Sequence, residues 1–100
     1  MANCTEVYVY EIAPGKLAEF LKIKDRLIRE TQDLPGLIAS ATFQSADDDH
    51  LFIDRMTWKS DEYARDGLKA FGTIPIAQKF LSLMTGPPKI GGHFTLVAGG

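Results

Sequence analysis

Four kinds of side chain in this sequence could do chemistry in an enclosed space. They are the carboxylate of Asp54, the indole of Trp58, the phenols of Tyr8 and Tyr10, and the imidazole of His93. Asp54 interrupts the apolar run "LFIDRMTW", residues 51–58. Residues two apart on an extended chain share a face, so Asp54 lies with Phe52, Met56 and Trp58, and Arg55 points the other way. A carboxylate on such a wall has two readings. It can be half of an ion pair or hydrogen bond within the sheet or across an interface. Alternatively, desolvation raises its pKa and it removes a proton from a phenol or enol. An electron-rich anion of that kind reacts with oxygen directly, so the protein needs only a base and a dry enclosure. In this second reading Asp54 is the base and Trp58 its catalytic neighbour. Tyr8, Tyr10, Phe52, Met56 and His93 then contact the substrate. Trp58 can be core, a cavity wall with one N–H donor, or both. Tyr8 and Tyr10 have the same two readings. His93 can be an edge residue or an acid/base group that titrates near neutral pH.

Two other features suggest metal chemistry and do not carry it at the level of sequence. In "DDDH", residues 47–50, four consecutive residues of an extended chain cannot converge on one ion, and the EF-hand spacing is absent. A solvated hairpin turn is expected there. Cys4 is the only cysteine, which excludes an internal disulfide and a cysteine-based metal cluster. It is read as inert, near a mobile terminus. No metal and no cofactor are expected.

The elements that must position these groups follow from hydrophobic period. Residues 5–12, "TEVYVYEI", are β-branched and aromatic, with Tyr8, Tyr10 and Ile12 on one face and Val7 and Val9 on the other. Pro14 and Gly15 end this strand. From Lys16 to about Gln32, Leu17, Phe20, Leu21, Lys24, Leu27, Ile28 and Thr31 repeat at helical spacing. Pro35-Gly36 stops that helix. Residues 37–45 alternate, with Leu37, Ala39, Ala41 and Phe43 on one side, and a short polar turn pairs them with the Asp54 strand as a hairpin. Ser60 is a plausible N-cap for a second helix to about Phe71. "GTIP" breaks or kinks it before "IPIAQKFLSLM" continues at helical spacing, and "GGHFTLV", residues 91–97, is a last strand.

The order β-α-β-β-α-β predicts an α+β, ferredoxin-like domain spanning 1–100, with a four-stranded antiparallel sheet and two helices on one face. Both faces of the first and third strands are apolar, yet helices cover only one, so a homodimer stacking its sheets is expected. Hydrophobic residues are 45% of the chain and charged residues 24%, the ordinary globular mixture, which argues against disorder. A net charge of −2 with mixed signs gives no basic stripe, so no nucleic-acid partner is expected. No apolar run is long enough to span a bilayer, and no secretory signal is evident, which suits a reducing cytoplasm.

With "PG" after the first strand, "PG" before the second and "W-x-S-x-E" at the start of the second helix, the chain resembles the dimeric α/β-barrel superfamily. Within it, the likeness is to antibiotic-biosynthesis-monooxygenase-like (ABM) domains, over almost the whole length. The resemblance implies sheets packed face to face in a dimer, and a cavity between sheet and helices in each subunit. It further implies cofactor-independent oxidation of an electron-rich aromatic or quinol, or else non-catalytic binding of a small apolar ligand. The asparagine, tryptophan and histidine of its haem-degrading branch fall on Tyr8, Trp58 and Gly67 or Leu68. Neither Gly67 nor Leu68 can ligate iron, so haem degradation is not implied. A glutamate common two residues before the tryptophan is here Met56.

Overall fold

The computed structural model describes residues 3–99. In chain order the elements are β1 (Cys4–Glu11), α1 (Leu17–Thr31), β2 (Leu37–Gln44), β3 (Leu51–Trp58), α2 (Asp61–Phe71), α3 (Pro75–Ser82) and β4 (Ile90–Phe94). The strands form one antiparallel sheet in the order β2-β3-β1-β4. This is an α+β, ferredoxin-like fold. The expected second helix is two helices, because Pro75 at the start of α3 cannot continue the hydrogen-bond ladder of α2.

The pairing of the two central strands places Tyr8 opposite Asp54 and Tyr10 opposite Phe52. Side chains that share a face of these strands therefore meet beneath the helices. Tyr10 and Phe52 pack with Phe20 of α1 and Phe80 of α3, at ring-centroid separations of 4.5 Å for Phe20–Phe52 and 5.4 Å for Tyr10–Phe80. Each such aromatic pair adds about 0.5–1.5 kcal/mol beyond its buried area. Ile12, Leu27, Ala77 and Leu83 complete this cluster. A second, smaller one beneath α2 joins Cys4, Trp58 and Ala64, with Leu34, Leu37 and Met56 against it. Cys4 is thus buried core rather than part of a mobile end.

Two details depart from simple alternation. A register shift between Leu37 and Ala39 puts Leu37 opposite Trp58 and under the helices, while Ala39, Ala41 and Phe43 lie on the other face. One extra residue in a strand reverses which way the rest of it points, so the four do not share a side. β4 ends at Phe94, opposite Thr5, so Thr95–Val97 do not extend the ladder.

The face away from the helices carries Val7, Val9, Phe43, Ile53, Ile90 and Phe94. The last four are 41–57% exposed, and Arg55 lies over the Phe43 ring. No described element covers it. No helix among the described residues is long and apolar enough to cross a membrane.

Candidate active site

A cavity of about 360 Å³ lies between the sheet and the helices. Its floor is Glu6, Tyr8 and Tyr10 of β1, Thr42 of β2, and Asp54, Met56 and Trp58 of β3. Leu27 and Ile28 of α1, Leu68 and Phe71 of α2, and Phe80 of α3 form its roof. The lining is predominantly apolar, with its polar groups gathered at two stations on the floor.

At the first station Asp54 is buried and accepts three hydrogen bonds. Tyr10 Oη donates at 2.8 Å, Thr42 Oγ1 at 2.9 Å and Lys24 Nζ at 2.5 Å. Lys24 reaches in from the apolar stripe of α1, its ammonium 4.6 Å from the centre of the Phe80 ring. The ion pair is almost dry, with side-chain exposures of 11% for Lys24 and 8% for Asp54. Burial, then the charge of Asp54 and its hydrogen bond, push the Tyr10 phenol well above its ordinary range.

The second station centres on Glu6, which is 3% exposed. Its Oε1 accepts the indole N–H of Trp58 at 3.0 Å, and its Oε2 accepts the Tyr8 hydroxyl at 2.6 Å. Nε2 of His93 lies 3.3 Å from the same Oε2. Burial, then the hydrogen bond and charge of Glu6, also raise the Tyr8 phenol. Both phenols are thereby held neutral, as donors to carboxylates. Every buried side-chain polar atom among the described residues has a partner.

Trp58 answers to both of its readings. It lines the cavity, and it is also packed in core against Gly67 of α2, where an added Cβ would lie 2.2 Å from the far edge of the indole. The indole thus occupies the space a side chain at Gly67 would need.

Of the expected site residues, Tyr8, Tyr10, Asp54, Met56 and Trp58 meet in the cavity. Phe52 does not: it is 2% exposed within the aromatic core, stacked on Tyr10. His93 stands behind Glu6, outside the lining, with its other ring nitrogen 3.0 Å from Asp61 Oδ1. Sequence reasoning did not single out Glu6 or Lys24. Both gave the same signal, a charged residue in register with an apolar face: Glu6 with Tyr8 and Tyr10, Lys24 with Phe20 and Leu27. Two groups among the described residues bring ligand atoms close enough to share an ion. One is Cys4, Asp61 and His93 behind Glu6. The other is Asp48, Asp49 and His50 in the turn after β2, where three consecutive residues converge because the chain bends rather than staying extended.

No protein-family model and no curated protein sequence matches the chain. Solved structures do, along its full length. The fold is that of the antibiotic biosynthesis monooxygenases. SnoaB, a cofactor-independent oxygenase from Streptomyces nogalater, superposes with a TM-score of 0.78 at 21% identity, over 100% of this chain and 96% of that one. A candidate antibiotic biosynthesis monooxygenase from Bordetella bronchiseptica gives 0.82 at 14% identity, over 98% and 100%. Another from Nitrosomonas europaea gives 0.78 at 16%, over 96% and 91%. At these identities the likeness to the monooxygenase structures is one of fold.

Proposed function

We propose that this chain is a small cofactor-independent monooxygenase acting on an electron-rich hydroxy-aromatic or quinol. The observation that carries the reading is the apolar cavity, with two buried carboxylate stations on its sheet wall. Its volume lies at the small end of ligand pockets, which suits a flat molecule of modest size. The fold shared with SnoaB supports the same chemistry. Loss of the substrate's hydroxyl proton leaves an anion rich enough in electrons to reduce oxygen. One oxygen atom then bonds to a ring carbon as the O–O bond breaks, and the other leaves as water. A hydroxy-aromatic and O₂ thus give a quinone and water, with the substrate as its own reductant.

The two stations divide the work. Asp54 is already paired with Lys24, and accepting a proton would break that buried ion pair. Glu6 is held by the N–H of Trp58 and the O–H of Tyr8, with His93 behind it. Glu6 is therefore the proton acceptor in this reading, and the Lys24 ammonium, which lines the cavity and uses one N–H on Asp54, offers another to the developing anion. The uncovered apolar face supports a homodimer formed by stacking two sheets.

The test uses hydroxylated naphthalenes and anthracenes. Binding should quench Trp58, the chain's only tryptophan, and oxygen uptake should accompany quinone formation. Glu6→Gln should retain binding and lose turnover at least a hundredfold. Equal loss in Asp54→Asn alone would move the base to Asp54. Quenching without oxygen uptake for every compound would leave a ligand-binding protein, and no quenching at all would remove the cavity from function.

A further inference from the structure

Behind Glu6, on the side away from the cavity, three groups from distant parts of the chain meet: the thiol of Cys4, Asp61 at the start of α2, and His93 of β4. Cys4 Sγ is 3.9 Å from Asp61 Oδ1, and His93 Nδ1 is 3.0 Å from the same oxygen. One ligand atom from each lies within 4.8 Å of the others. We propose that Cys4, Asp61 and His93 form a binding site for a borderline-soft divalent transition ion, Zn²⁺ foremost.

The donor set is the first argument. Thiolate, imidazole and carboxylate together are the ligands zinc takes, whereas calcium and magnesium call for oxygen alone. Spacing is the second. At ordinary zinc bond lengths, tetrahedral ligand atoms stand about 3.3–3.6 Å from one another, so the Sγ–Oδ1 and Nδ1–Oδ1 separations need to change by only a few tenths of an ångström. The third argument lies outside the cluster. The buried Glu6 carboxylate lies 3.3 Å from Nε2 of the same imidazole, so that with the ion on Nδ1 the ring keeps its proton on Nε2 and donates it to Glu6. A carboxylate behind a histidine ligand is the usual outer support of a zinc site.

The surroundings also fit. Cys4 is buried, which shields a metal–thiolate bond, and the imidazole side chain is 16% exposed, which leaves a way in from solvent. Arg65 holds the other oxygen of Asp61, Oδ2, at 2.6 Å and so leaves Oδ1 to the ion. Three protein ligands leave a fourth position for water. Binding releases the Cys4 thiol proton to solvent, because the thiolate is the ligand. The exposed turn cluster Asp48, Asp49 and His50 offers no sulfur and has no such support, so it serves as an internal control.

Cobalt distinguishes the two clusters, since only Cys4 can give a thiolate-to-metal charge-transfer band. Titration of the freshly reduced full chain with Co²⁺ should develop that band and intense tetrahedral visible bands, saturating at one equivalent. One equivalent of Zn²⁺ should erase both. Cys4→Ser should abolish the charge-transfer band. His93→Gln, whose amide can still reach Glu6 while Nδ1 is lost, should weaken Co²⁺ at least tenfold, as should Asp61→Ala. Glu6→Gln should weaken it about 10–100-fold. His50→Gln should change nothing. Asp61 is largely exposed, so its variant keeps the test alive should a buried substitution fail to fold by circular dichroism. Absence of the band at tenfold excess Co²⁺ overturns the site and leaves His93 as a bridge between two carboxylates. A band of undiminished affinity in Asp61→Ala, or in folded His93→Gln, overturns the ligand set.

Discussion

Lys24 and Asp54 face each other in nearly dry surroundings, and the consequence of separating them is one-sided. With the ammonium removed, Asp54 keeps Tyr10 and Thr42 but holds a charge that nothing neutralises. Lys24→Met should therefore lower stability by about 3–5 kcal/mol in urea unfolding, whereas exposed pairs such as Arg26–Glu30 contribute well under 1. Tyr8 and Tyr10 give a second prediction at this scale. Their phenols stand above the ordinary value of 10.0 in the folded chain, so the fold keeps those protons to higher pH than the unfolded chain does. The stability they contribute is full below about pH 10 and is lost as pH rises beyond it. Phenolate absorbance from these two residues should appear together with loss of the circular dichroism signal. Smooth titration of both within an intact fold would show that they are not held by the carboxylates.

The position of α2 over the sheet depends on a missing side chain. Alanine is the better helix former by about 1 kcal/mol, so Gly67→Ala should stabilise α2 if propensity governed it. The added methyl would instead press on a rigid indole edge that is itself fixed by the Glu6 bond. Overpacking of this kind costs about 1–3 kcal/mol, so the net change should be destabilising, with a shifted Trp58 emission maximum and weaker quenching by aromatic ligands. A more stable Gly67→Ala with unchanged emission would show that α2 lifts freely. At the other end of α2's contact with the sheet, Gly36 adopts φ 79° and lies under the Tyr63 ring, so the turn before β2 is also set by what packs on it.

The whole molecule has a covered face and an uncovered one. Ile53 stands within the uncovered face on a central strand, paired with Val9 and Phe43. Sedimentation equilibrium at low micromolar concentration should give twice the chain mass of 11.0 kDa for the wild type. Ile53→Asp should shift the protein toward monomer with its helices intact, because desolvating a new carboxylate between two sheets costs more than its attraction to Arg55 on the same face returns. A wild-type monomer of normal stability would remove the stacked-sheet dimer.

Local pattern was enough for the elements and for much of the cavity floor. Period two placed Asp54, Met56 and Trp58 on one face, and period 3.6 placed Lys24 on the apolar stripe of α1, because those directions follow from backbone geometry alone. The break at Pro75 was equally legible, since the missing N–H acts within its own segment. The sequence could not show that Leu37 joins the helix side, because a bulge depends on how the neighbouring strand pairs. Nor could it separate Phe52, which the core absorbs, from Tyr10, which belongs to the same core yet also lines the cavity, or from Tyr8 at the core's edge. The partnerships that give the site its chemistry span still longer distances: 30 residues for Lys24–Asp54, 52 for Trp58–Glu6, 87 for His93–Glu6 and 57 for Cys4–Asp61. A lone cysteine has no visible partner in a linear sequence. Antiparallel pairing of β1 with both β3 and β4 is what brings Cys4 beside the start of α2 and within reach of His93. The sequence by itself determined which residues each face presents, and only the tertiary structure decided which faces meet, because that choice rests on strand order and register rather than on any local preference.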